Sequence, residues 1–112
     1  MKKHRQFIKT KPIPKGRPRM TRRGRVYTPA RTLESEDVIR TAYTGPKYEG
    51  EVMLTCTFKK EGIAIELRPI ESDTPTLLRG DLDNYIKLLM DGLNGTAWED
   101  DKQVTVIVGF KE

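Results

Sequence analysis

The alternation of apolar and polar positions divides this chain into short strands and two helices. Residues 5–10, Arg-Gln-Phe-Ile-Lys-Thr, predict a first strand that stops at Lys11-Pro12. Pro14, Gly16 and Pro18 then leave no room for a regular element. Arg22-Arg23-Gly24-Arg25 has the composition of a hairpin tip, with Arg25 to Thr28 as the returning strand. A helix is expected from about Thr32 to Thr44. Thr32 or Ser35 offers a capping oxygen, Glu34, Glu36 and Asp37 suit the positive end of the helix dipole, and Gly45-Pro46 stops it. Its apolar face, carried by Leu33, Val38, Ile39, Ala42 and Tyr43, is only fair.

The second half is patterned more sharply. Val52, Leu54, Cys56 and Phe58 recur at every second position and predict a strand over 51–58, with 62–67 as its hairpin partner. Pro69, Ser72, Asp73, Pro75 and Gly80 mark a long irregular connection over 68–80, of a kind that is often functional. Tyr85, Ile86, Leu89, Met90 and Leu93 form one stripe, which predicts a helix over 83–94 ended by Asn94-Gly95. After a loop over 96–102, the β-branched run 103–110 reads as the last strand. This order argues an α+β fold, a single small domain with two helices on a mixed β-sheet.

Composition narrows the chemistry. A chain of 112 residues is one domain, 1–112, with a modest core that dimerisation would supplement. No apolar run approaches the ~18 residues of a membrane span. The basic start, Met1 to Arg5, has no apolar stretch behind it, so a cytoplasmic protein without a secretory signal is expected. The single cysteine, Cys56, rules out an internal disulfide or a cysteine-rich zinc site and reads as a small core residue. The only histidine, His4, lies in the basic tail, which sets aside Ser-His-Asp, Cys-His and histidine-based nuclease mechanisms. Carboxylates, lysines and a metal remain, with no organic cofactor implied.

The net charge of +5 conceals a polarity. Residues 1–31 hold twelve Lys or Arg and no acid, whereas 81–101 hold six acids and one base, Lys87. The first segment is either a solvated tail or a basic strand and hairpin arm that grips a polyanion. Turn and aromatic residues interrupting the charge favour the grip. Lys15, Arg17, Arg19, Arg22, Arg23 and Arg25, together with Arg79 beside the acids, are the candidate DNA contacts.

The acidic segment, 81–104, is the candidate catalytic part. In an extended Asp81-Leu82-Asp83, side chains two apart point the same way, so the carboxylates repel unless a cation lies between them, and Leu82 turns to the core. Asp83 also stands where a helix N-cap belongs. Lys87, one turn on, can reach back over the acids. It is either an ordinary i,i+4 partner or a cation for the scissile phosphate. Asp100 or Asp101, folded back on Asp81, would complete a cage of hard oxygens, which suits Mg²⁺ or Mn²⁺ rather than zinc. An EF-hand is excluded, because Ile86 occupies the position that requires glycine. Beside a basic surface, such a cage is the apparatus of a metal-dependent nuclease.

Arg79-Gly80-Asp81-Leu82-Asp83-Asn84-Tyr85-Ile86-Lys87, continuing to Trp98-Glu99-Asp100-Asp101-Lys102-Gln103-Val104, resembles the RusA family of Holliday junction resolvases. Pro14 to Arg19 also resembles a form found in phage and prophage members. The resemblance implies a RusA-like, homodimeric endodeoxyribonuclease that uses Mg²⁺ to cut branched, four-way DNA by paired nicks in recombination and repair. It maps the catalytic and metal-binding acids onto Asp81, Asp83 and Asp101 and the functional lysine onto Lys87, with Asp100 adjacent. Two other readings stay open at this point. One is a restriction-type nuclease using Asp91, Asp100 and Lys102. The other is a non-catalytic nucleic-acid-binding protein.

Overall fold

The computed structural model describes residues 2–14, 19–20, 24, 26–27 and 29–112. The chain forms two compact units, 1–71 and 72–112. Together they carry two α-helices and a three-stranded antiparallel sheet, an α+β architecture.

The first unit is built on that sheet. β1 (His4–Ile8) begins near the expected place. A short hairpin follows, β2 (Arg19–Met20) paired with β3 (Val26–Tyr27) in the register Arg19↔Tyr27. Between them Gly24 has φ +82°, a left-handed conformation that glycine adopts without a side-chain clash, which is why the tip carries it. β4 (Val52–Lys59) and β5 (Gly62–Pro69) form the expected hairpin, and β5 is central in the order β1-β5-β4. The expected mixed sheet is antiparallel throughout its three strands. The run 103–110, expected as the last strand, lies in the other unit and adds no strand to this sheet.

Helix α1 (Ala30–Ala42) starts two residues before the expected Thr32, with Pro29 at the N-cap. The Pro29 carbonyl accepts the amides of Thr32 and Leu33 at 3.0 and 3.3 Å, so neither Thr32 nor Ser35 is the cap. A proline fits here because it pre-sets φ and lacks an N–H that would go unpaired. Thr32 instead is buried, as are Ile8 and Ile63. The far end of α1 is tied to β1. The Gln6 amide donates to the Ala42 carbonyl, and its oxygen accepts from the Thr44 amide at 3.1 Å. His4 lies 2.9 Å from the same oxygen and meets the Tyr43 ring edge-on at 5.2 Å, a structural role that agrees with leaving it out of the chemistry.

Cys56 is exposed, contrary to its expected place in the core, and its neighbours Leu54 and Phe58 are 59% and 66% exposed. All three sit on β4, the edge strand of the sheet, whereas the contacts of α1 described above fall on β1 at the opposite edge. The other face carries an ion network in which Glu66 meets Arg68 at 2.9 Å, Arg5 at 3.2 Å and Lys3 at 3.7 Å. The Arg68 hydrogen bond, assisted by Arg5 and Lys3, holds the Glu66 carboxyl below the usual glutamate range. A depressed folded pKa contributes stability above the unfolded value and loses it as pH falls through the folded one. Urea midpoints of wild type and Glu66→Gln should therefore differ at pH 7 and converge as the pH falls through the lowered Glu66 value. Because the network is solvent-exposed, the pH 7 difference should also shrink in high salt.

The second unit centres on helix α2 (Leu82–Leu93), the expected amphipathic helix shifted one residue toward the N-terminus. Residues 104–110 adopt no strand, although their β-branched composition predicted one. A strand requires a neighbouring backbone, and this unit contains no other strand to supply it. The segment instead runs beside α2. A side chain at Gly109 would meet Ile86 at 3.1 Å, and the Lys111 ammonium donates to the Gly80 carbonyl at 2.9 Å. Among the described residues no helix is long and apolar enough to cross a membrane.

Candidate active site

The start of α2 carries two of the candidate acids. Asp81 is the N-cap, with φ −72° and ψ 137°, and its backbone carbonyl accepts the amides of Asn84 and Tyr85 at 3.1 and 3.3 Å. Its side chain makes no capping bond. Asp83, expected to be the cap itself, lies in the first helical turn. The pair therefore straddles a helix start instead of lying along an extended segment, because the helix begins one residue early. Both exposed carboxylates are without a hydrogen bond or ion pair among the described residues. Acids at this end of a helix also interact favourably with its dipole.

A further residue anchors the approach to this corner. The Gly80 amide donates to the Tyr85 hydroxyl at 3.1 Å, so the chain entering Asp81 is held by the helix that Asp81 opens. Sequence reasoning assigned Tyr85 only to the apolar stripe. Lys87 was expected to reach back over Asp83. Its ammonium instead lies 3.4 Å from Asp91 one turn ahead, with both side chains more than half exposed. Such a pair is worth well under about 1 kcal/mol, so it is easily exchanged for a stronger anion.

The third candidate acid lies in a tightly framed turn. Beyond α2, Gly95 has φ +79° and its amide donates to the Trp98 carbonyl at 2.6 Å, while the Thr96 and Ala97 amides return to Leu93 at 2.9 and 2.8 Å. A short 3₁₀ turn, η1 (Asp101–Gln103), follows. Asp100 is its N-cap: its carboxylate accepts the Lys102 amide at 2.9 Å and forms a capping box with Gln103. The Gln103 oxygen accepts the amides of Glu99 and Asp100 at 2.7 and 3.0 Å. Asp101, half-buried, accepts the Trp98 indole N–H at 2.8 Å. Trp98 and Gln103 stand in the sequence motif, but the sequence reading gave neither a role. The spacing Asp100-x-x-Gln103 is a capping-box signature and would have revealed the second.

Among the described residues, no three acids or other metal-ligating side chains are gathered closely enough to hold an ion. Asp81 and Asp83 share one corner, and Asp101 is fixed in the turn beyond the other end of α2. Like charges with nothing positive between them repel, so carboxylates have no intrinsic tendency to converge. Taken singly, these acids offer the oxygen donors that hard divalent cations prefer, two carboxylates unengaged and one bonded through a single oxygen, but the structure does not bring them together. Arg79 is exposed two residues before Asp81. The proposed DNA contacts Lys15, Arg17, Arg22, Arg23 and Arg25, and the side chain of Arg19, lie outside the described residues.

Among the described residues, the corner at the start of α2 offers two unengaged carboxylates and a lysine paired with an exposed aspartate. The family comparison is specific. The model of the RusA endodeoxyribonucleases matches residues 9–112, nearly the whole chain. The chain belongs to this family, whose members are endonucleases that resolve Holliday junctions and are generally metal-dependent. No curated protein and no solved structure matches it.

Proposed function

We propose that the protein resolves four-way DNA junctions by paired, symmetric nicks, acting as a homodimer with Mg²⁺ held by Asp81, Asp83 and Asp101. The observation that carries the site assignment is the contrast among the acids. Asp81 and Asp83 stand unengaged at the start of α2, and Asp101 offers a carboxylate bonded through one oxygen, whereas Asp100 is occupied as a cap. A divalent cation in such a set polarises a phosphate and makes bound water more acidic. Around it, Asp81 and Asp83 contribute charge and orientation from a rigid helix end. Lys87, released from Asp91, offers an ammonium to the phosphate on the same helix face. The basic arm, residues 1–31, neutralises the DNA backbone, which makes affinity fall steeply with salt.

A four-way junction is two-fold symmetric, and a C2 dimer presents two equivalent sites for its two continuous strands. The restriction-type alternative would need Asp100 as a free acid, and the turn engages an oxygen of that carboxylate. Incubation with a synthetic four-way junction, a linear duplex and a flap in Mg²⁺ tests the substrate class. Nicks at symmetry-related positions of the junction, with the linear duplex left intact, are the expected result. Equal cutting of all three would contradict junction specificity, and binding without nicking would contradict the enzymatic reading.

A further inference from the structure

The face of the three-stranded sheet opposite the one that meets α1 has no task in the proposed reaction. We infer that it is a DNA-backbone contact surface, on which Arg5, Arg68, Lys59 and Lys3 meet the phosphates of a duplex arm of the junction. The inference rests on the reading of the protein as a junction-binding enzyme. It assigns that enzyme a surface apart from both the acidic segment and the basic hairpin.

Strand register defines the face. Along β1, Gln6 bonds the end of α1 and Ile8 is buried, whereas the alternate residues Arg5 and Phe7 are exposed. Across the ladder Arg5 stands opposite Glu66, which stands opposite Thr55, and Phe7 stands opposite Ala64, which stands opposite Thr57. These six residues line one shallow depression. Arg68, opposite Met53, continues the face at one end, and Lys59, opposite Gly62, continues it at the other. Lys3 reaches it through its ion pair with Glu66.

The charge on this face is unbalanced. Glu66 is the only acid in β1, β4 and β5, and it is shared by Lys3, Arg5 and Arg68. One Glu66 oxygen takes Nη2 of Arg68 and the other takes Nε of Arg5, so a single carboxylate holds two guanidinium groups side by side. A guanidinium has five N–H donors in a fork that matches phosphate, and exposed ion pairs exchange partners readily. The hydroxyls of Thr55 and Thr57 are exposed donors of the kind that also meet phosphate oxygens. From Met53 to Lys59 the strand runs about 20 Å, which matches about six base steps of a duplex.

Junction binding measured in EDTA over a salt series tests the assignment, because it reads affinity without nicking. Lys59→Gln/Arg68→Gln changes two cations outside the first 31 residues. It should bind more weakly, and its plot of log affinity against log salt should be shallower by about 2. Its deficit against wild type should therefore narrow about tenfold between about 50 and 200 mM salt. Arg40→Gln/Lys47→Gln removes the same charge from α1 and the loop after it, and should keep the wild-type slope. Glu66→Gln frees three cations from their shared carboxylate and should bind more tightly than wild type, a gain that a damaged fold would not produce.

An unchanged slope in Lys59→Gln/Arg68→Gln, an equal loss in the α1 control, or no gain in Glu66→Gln overturns the role of this face. Each of these leaves junction resolution by the rest of the protein standing. If wild-type protein binds no junction, the proposed function fails and the inference fails with it.

Discussion

Asp81→Asn is expected to abolish junction cleavage while leaving both the fold and DNA binding in place. The substitution removes one negative charge from the proposed metal set and alters nothing else of consequence. Asp81 caps α2 through its backbone carbonyl, and its side chain makes no capping bond. Asparagine is as good an N-cap as aspartate, so the helix should not register the change. Metal-assisted catalysis supplies several kcal/mol of transition-state stabilisation, so the loss should be roughly 10²- to 10⁴-fold in rate. An unchanged melting temperature and an unchanged gel shift on the junction, in the same preparation, would place the defect in chemistry. Retained cleavage would remove Asp81 from the site.

The second large effect is a contrast between neighbours. Asp101→Asn should lower cleavage by a similar roughly 10²- to 10⁴-fold. Asp100→Asn should leave it close to wild type. The difference follows from the turn: the Asp100 carboxylate is taken up by the Lys102 amide and the capping box, a task asparagine performs equally well. Among the described residues, the Asp101 side chain bonds the Trp98 indole and no backbone group. Asp100→Ala removes the cap, costs about 1 kcal/mol of local stability, and should loosen the turn enough to weaken metal binding without eliminating cleavage. Single-turnover assays over a Mg²⁺ titration separate these cases. Equal inactivation of Asp100→Asn and Asp101→Asn would mean that both carboxylates serve the ion.

What was legible in the sequence depended on how local its cause is. The β4–β5 hairpin and helix α2 declare themselves through period-two and helical patterns that short stretches carry by themselves. The start of α2 was misplaced by one residue because Asp81 and Asp83 are equally good caps in sequence, and only the carbonyl of Asp81 takes the first amides. The α1 boundary failed similarly, with Pro29 displacing the better-looking Thr32. Residues 104–110 have the composition of a strand, but pairing is a property of two segments, and composition describes only one. The candidate acids were all readable from spacing and charge. Their different roles were not, because the carboxylates of Asp100 and Asp101 differ only in which donor each meets.

The most direct measurement is chelation during cleavage of a four-way junction by the wild-type protein. With EDTA in excess, nicking should cease while the protein–junction complex persists, since the proposed grip of the basic arm on phosphates needs no ion. Restoring free Mg²⁺ should return nicking to its initial rate at the same symmetric positions. Nicking that continues at an undiminished rate under EDTA would contradict a carboxylate-held metal as the centre of the chemistry.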